Sequence, residues 1–330
     1  MTGDRLLLPA LSLLVVALFA ASLLIGPAAL GLRESLLALF TGQGGPVVLV
    51  MQEIRLPRAI LGLCVGAVLG LSGAAMQGFL RNPLAEPGLI GVSSAAALGA
   101  VISLQTGLAA AFALALPLAA LAGAGVSVLL VLWMAGPRGG ALALILAGIA
   151  ISALAGAFTS LILNLSPNPF AVMEIVYWMM GSLSDRSMTH VWLAVPFMAA
   201  GCALLLMTGR SLDALTLGED AARSLGVDLR RLRLLIVLGT AAAVGASVAV
   251  AGAIGFVGLV IPHLLRPFCG GRPSRLLPAS ALGGAAMLLA SDIAVRIIAP
   301  DQDLKLGVLT ALVGAPFFLH LLWRMRGVEA

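Results

Sequence analysis

From Leu234 to Phe268 the chain is apolar for 35 residues, with His263 and Arg266 as the ionisable side chains inside it. A helix needs only about 20 residues to cross roughly 30 Å of hydrocarbon, so this run must break into two pieces. Gly252, Gly255 and Gly258 mark the turn, and Pro262 disrupts the second piece. Similar runs recur along the chain without the two-residue alternation of a membrane barrel. The fold class is therefore an all-α polytopic membrane protein.

Composition agrees, since 10% of residues are charged against about 25% in soluble domains. Further spans are expected at about 6–30, 59–79, 89–105, 108–135, 141–163, 191–207, 277–299 and 305–323, making ten with the broken pair. The first resembles a signal peptide in its small residues Ala20, Ala21 and Ser22, but exceeds the usual apolar length of one, which favours an uncleaved helix. Residues 33–46 read as a polar loop followed by Gln52 to Arg58. In the second span Gly62, Gly66, Gly70 and Gly73 form a surface that other helices approach closely. Residues 164–190 are mixed, and their apolar piece Ile175 to Met180 is too short to span, so it reads as a surface or re-entrant helix. The whole of 1–330 reads as one transmembrane domain.

Against this background Gly209 to Arg233 stands out, with 9 of the 33 charged residues in 25 positions. It is long enough for two short helices and must sit in water. With the N-terminus cytoplasmic, 13 of the 19 basic residues fall inside, including Arg81, Arg138 and Arg210, and 6 outside. That asymmetry places both termini and 209–233 in the cytoplasm and 164–190 on the periplasmic side.

Several chemistries are excluded. The single lysine, Lys305, lies between Leu304 and Leu306, so no G-x-x-x-x-G-K-[ST] phosphate loop exists and the chain cannot hydrolyse ATP through one. No H-E-x-x-H or G-x-S-x-G occurs, and the three histidines are far apart, so neither an enzyme nor a resident metal is expected. The basic residues lie in short loops without interleaved aromatics, which argues against nucleic acid. Cys64, Cys202 and Cys269 lie in or beside apolar runs and read as packing residues. An ion-coupled carrier is the alternative, weakened because only Asp292 lies near the interior of a span.

The segments RLPRAILGLCVGAVLGLSGAAMQGFLRNPLAEPGLIGVSSAAALGA (55–100), YWMMGSL (177–183), EDAARSLGV (219–227), GAIGFVGLVIPHLLR (252–266) and LGVLTALVGAPFFLHLL (306–322) resemble the FecCD-type permeases of type II ABC importers. The resemblance covers nearly the whole chain. It implies an inner-membrane homodimer of ten-helix permeases with two cytoplasmic ATPase subunits, which bind ATP and magnesium, and a periplasmic binding protein. The cargo it implies is an iron complex, ferric siderophore or haem, with cobalamin as the alternative.

Residue by residue, the resemblance gives Arg55, Arg58 and Arg296 to docking of the binding protein, where an arginine fork suits carboxylates. The bland reading is interfacial snorkelling. It gives Leu217, Gly218, Glu219, Asp220, Ala221, Ala222, Arg223, Ser224, Leu225, Gly226 and Val227 to ATPase coupling, against a merely solvated loop. Glu219 and Asp220 suit a helix start, and Gly226 suits its end. Gln77, Arg81, Asn82, Asn164 and Ser166 either line a pathway or gate, or bond neighbouring helices. His263 reads as structural.

Overall fold

Backbone groups in hydrocarbon must bond within their own segment, and the regular elements among the described residues are helical turns. The computed structural model describes residues 3–26, 30–42, 45–112, 114–136, 139–300, 302 and 304–326. Gly44, Pro137 and Arg138, which the sequence assigns to loops, lie outside them.

The chain opens with α1 (Gly3–Leu24), α2 (Leu32–Thr41) and α3 (Pro46–Leu49), followed by a π-helical stretch Val50–Arg55 and α4 (Leu56–Leu80). A 3-10 turn, Pro87–Ile90, precedes α5 (Val92–Gln105), α6 (Leu108–Ala111), α7 (Ala115–Ala135), α8 (Ala141–Leu165), α9 (Pro169–Met179) and α10 (Met188–Leu206). Two short helices follow, α11 (Gly209–Leu215) and α12 (Glu219–Ser224). The rest comprises α13 (Leu229–Ala251), α14 (Val257–Leu265), a 3-10 turn Arg266–Cys269, α15 (Pro273–Ile298) and α16 (Leu306–Arg326). Seven segments, α1, Pro46–Leu80, α7, α8, α10, α13 and α15, are long and apolar enough to cross a membrane.

Four expectations need correction. The loop expected at 33–46 contains α2, because Leu32, Leu36 and Phe40 recur at helical spacing around its polar residues. The second span begins at Pro46 instead of Ala59, since Gln52, Glu53 and Arg55 lie within continuous helix. The run 108–135 is two helices, separated beyond Ala111, where Phe112 is extended. The break in 234–268 falls at Gly252–Phe256, while Gly258 and Pro262 lie within α14.

Helix α4 is the hub and packs on α15, α14, α13, α10 and α1. Its glycines explain the closeness. A Cβ on Gly66 would stand 2.4 Å from the carbonyl of Gly284, on Gly70 2.0 Å from that of Ser280, and on Gly73 1.9 Å from that of Gly258. Gly62 instead meets the side chains of Leu289 and Leu183. Backbones in contact gain dispersion and helix association that lipid cannot supply through hydrophobicity.

The bundle has two distinct ends. Gln77, α11, α12, the start of α13 and Arg266 share one, as Arg266 Nη2 donates to Gln77 Oε1 at 2.8 Å and the 209–215 helix packs on α15. The 3-10 turn after α14 also packs on α1. Arg55, Arg58, residues 183–187, Arg296 and the C-terminal end of α1 share the other.

Candidate functional site

At the end of the bundle away from α11 and α12, two arginines converge on one acid, and a third, Arg55, shares the end of α1 with one of them. Asp292, 1% exposed on α15, accepts from Arg58 Nε at 2.9 Å and pairs with Arg58 Nη2 at 2.8 Å. Its other oxygen takes Arg296 Nη2 at 2.5 Å, one turn along the same helix. Arg296, 8% exposed, also donates to Ser22 O at 2.8 Å, Ile25 O at 2.7 Å and Ser22 Oγ at 2.5 Å. Arg55, 4% exposed, donates to Leu23 O at 3.0 Å and Leu24 O at 2.8 Å.

A helix leaves its last carbonyls without intrahelical partners and carries partial negative charge there. Arg55 and Arg296 together cap four successive carbonyls, Ser22 to Ile25, at the end of α1. The sequence shows the three arginines but not this cap, because the acceptors are backbone atoms about 30 and 270 residues away. Arg58 differs: it borders a cavity of about 520 Å³ with Glu53, Asp185, Arg186 and Arg296. Arg186 also donates to Val250 O at 2.5 Å, and burial lowers its pKa against the opposing pull of Asp185.

Halfway along the bundle two interruptions meet. The connection after α4 turns back at Arg81, in the left-handed region with φ 49°, and Asn82 Oδ1 accepts from Leu84 N at 2.9 Å. It carries Glu86 back to the level of Val65 and Leu69, where Glu86 Oε1 accepts from Phe256 N at 3.4 Å. Burial pushes the Glu86 carboxyl above its ordinary pKa, against the lowering effect of that Phe256 bond. Phe256 begins α14 with φ 68°, a strained conformation for a non-glycine residue, and its side chain lies where a Cβ on Gly314 would stand, 2.3 Å from its own Cβ. Sequence patterns do not single out Glu86, Phe256 and Gly314; the prolines flanking Glu86 and the glycines of α16 are the signals that the chain offers.

The other candidates lie apart. Gln77 is buried, and its amide donates to Leu259 O at 3.2 Å while its oxygen receives Arg266, so it joins α4 to α14. Ser166 Oγ donates to Gln105 Oε1 at 3.0 Å, and Asn164 is exposed near the end of α8.

The segment 209–233 folds as α11, α12 and the start of α13. Asp213 accepts from Ser274 N at 2.8 Å, fastening α11 to α15. Glu219 and Asp220 open α12 and pair with Arg223 at 3.3 and 3.2 Å, exposed contacts that contribute little to stability. Asp228 caps α13 through the N–H groups of Arg230 and Arg231 at 2.9 and 3.1 Å, and Arg233 donates to Gly139 O. Ala222 is the buried residue of α12. Gly218 (φ 104°) and Gly226 (φ 83°) make the two turns, beside which Leu217 and Leu225 are 69% and 64% exposed. Two leucines held outward on fixed turns of a charged segment suit an apolar pocket on another protein.

The model of the FecCD transport family matches residues 13–324. The chain belongs to the FecCD transport family. The Fe(3+) dicitrate transport system permease FecD of Escherichia coli is 42% identical over 277 residues, covering 84% of this chain and 86% of FecD. The cobalamin import system permease BtuC of Halobacterium salinarum is 41% identical over 283 residues, covering 85% and 75%. A metal-chelate type ABC transporter solved in an inward-facing conformation aligns with TM-score 0.84 and 35% identity over 96% of this chain and 98% of that one. This FecCD member is thus a multi-pass ABC importer permease and not itself an enzyme. Its family overturns the alternative of an ion-coupled carrier.

Proposed function

We propose that this permease carries an iron complex, a ferric siderophore or haem, from a periplasmic binding protein into the cytoplasm across the inner membrane. Residues 1–330 form one transmembrane domain with ten crossings, the shorter apolar helices α5, α14 and α16 adding to the seven long ones. Both termini and 209–233 are cytoplasmic. Two copies pair, and each engages one of two ATPase subunits that supply ATP and magnesium.

The observation that carries this reading is the placement of two dissimilar sites at opposite ends of one bundle. Arg58, beside its cavity, is positioned to take a carboxylate of the binding protein, with Arg55 and Arg296 holding the surface around it. Residues 217–227 present Leu217 and Leu225 to the ATPase, and a push there reaches α15 through Asp213 and α13 through Asp228. Gln77, Arg81 and Asn82, near the coupling end, border the route that the push opens, and Asn164 and Ser166 border its outer side.

Similarity to a ferric dicitrate permease favours iron, while similarity to a cobalamin permease supports the second reading. Competition decides between them. Uptake of radioactive iron as a ferric chelate by cells carrying the complete transporter is displaced by excess unlabelled ferric chelate or haem. Displacement by cobalamin alone, with no iron uptake, overturns the iron assignment.

A further inference from the structure

Helix α2 presents Leu32, Leu36 and Phe40 on one side, four residues apart, and Leu37 beside them; all are exposed, Phe40 at 78%. Ser35 and Ala38 are its buried residues. It packs on the Pro46–Arg55 segment, where Leu49 and Ile54 are exposed as well. Six large apolar side chains thus crowd one region at the end of the bundle that carries Arg55. A patch of that kind marks an interaction surface, and its depth identifies the partner.

The depth follows from two sets of hydrogen bonds. Arg55 caps Leu23 and Leu24 at the end of α1, a spanning helix. Gln52, three residues before Arg55, donates to Ala38 O at 3.0 Å and Leu39 O at 3.3 Å at the end of α2. One helical turn is about 5 Å, so the end of α2 stands within about one turn of the level at which α1 leaves the hydrocarbon. That is the boundary of headgroups and acyl chains, where an amphipathic helix buries leucine and phenylalanine. Along its length α1 exposes Leu13 and Val16, as a lipid-facing helix does. Glu34 lies on another side of the helix, and Arg33 is exposed in its first turn, where its long stem reaches the headgroups.

We infer that α2 is an interfacial helix whose Leu32, Leu36 and Phe40 side insert into the outer surface of the lipid bilayer. Through Gln52 it braces the helix that carries Arg55 and Arg58 against the membrane.

The test uses the full-length protein with Cys64, Cys202 and Cys269 replaced by alanine, reconstituted in nanodiscs of phosphatidylethanolamine and phosphatidylglycerol. An environment-sensitive fluorophore is attached at Phe40→Cys, Leu36→Cys or, as the control on the same helix, Glu34→Cys. Lipids spin-labelled near the headgroup quench positions 36 and 40 at least about twofold more than position 34. Equal quenching at all three positions overturns the inference. So does a disulfide between two copies through Phe40→Cys, which would make the face a contact between protomers, or loss of quenching at positions 36 and 40 on adding periplasmic extract, which would assign it to a soluble partner.

Discussion

Arg58 on α4 and Asp292 on α15 meet at 2.8–2.9 Å through two guanidinium nitrogens and one carboxylate oxygen. Asp292 also holds Arg296, which joins Arg55 on the carbonyls at the end of α1. Removing one partner of a buried pair strands the other charge, at a cost of about 3–5 kcal/mol. Asp292→Leu is therefore expected to lower stability by about that amount, seen as a lower thermal midpoint of the purified permease; an unchanged midpoint would refute the cluster's structural role.

The arginines should separate by function. Arg58→Ala is expected to weaken capture of the binding protein about tenfold or more at low salt and, because Asp292 keeps Arg296, to lower the thermal midpoint less than Asp292→Leu does. Arg55→Ala and Arg296→Ala, which uncap α1, are expected to lower the midpoint first. Surface-immobilised permease titrated with binding protein at two salt concentrations, beside a melting scan, distinguishes them. Equal binding by wild type and Arg58→Ala would remove Arg58 from the docking surface.

The contrast among these arginines marks the limit of what was legible in the sequence. Charge density alone located 209–233, and Gly226 and Asp228 end and begin helices as expected, because capping is a local property. The glycines of α4 also announced their role. Arg55 and Arg296 were legible as charges but not as caps, since that depends on backbone atoms of α1. Helix α2 was obscured by Gly42 and Gly45, which follow it and resemble loop punctuation. Glu86 reads as part of a surface turn between prolines, and only the return of that connection into the bundle sets it beside Phe256.

Close backbone contact makes Gly66 intolerant of a side chain. Gly66→Leu places its Cβ 2.4 Å from the carbonyl of Gly284 and forces α4 from α15, at a cost of at least ~1–3 kcal/mol. Gly107→Ala serves as the comparison for a glycine with open space around it, although its φ of 75° adds some backbone strain. A melting midpoint for Gly66→Leu no lower than that of Gly107→Ala would contradict the packing described.

Glu86 supplies a pH dependence. Its folded pKa is raised by burial, so folding favours the protonated form; that stabilisation is present at acid pH and is lost as pH rises through the folded value. The thermal midpoint is expected to fall as pH rises above the ordinary carboxylate range near pH 4.3, with a smaller fall in Glu86→Gln. Identical pH profiles for the two proteins would exclude Glu86 as the cause.

Leu217 and Leu225 offer the platform's contact without a part in its core. Leu217→Asp with Leu225→Asp is expected to leave the permease folded but reduce cargo-stimulated ATP hydrolysis by the partner about tenfold or more. Undiminished stimulation would place coupling elsewhere.

The central claim, that work enters through 209–233 from an ATPase and moves cargo delivered at the opposite end, is tested most directly by uptake into proteoliposomes. These contain the permease, its ATPase and enclosed ATP, with binding protein and radioactive ferric chelate outside and no membrane potential. Uptake that requires enclosed ATP and is lost in the Leu217→Asp, Leu225→Asp permease is the predicted result. Uptake that proceeds without the ATPase, driven by an imposed ion gradient, would contradict it.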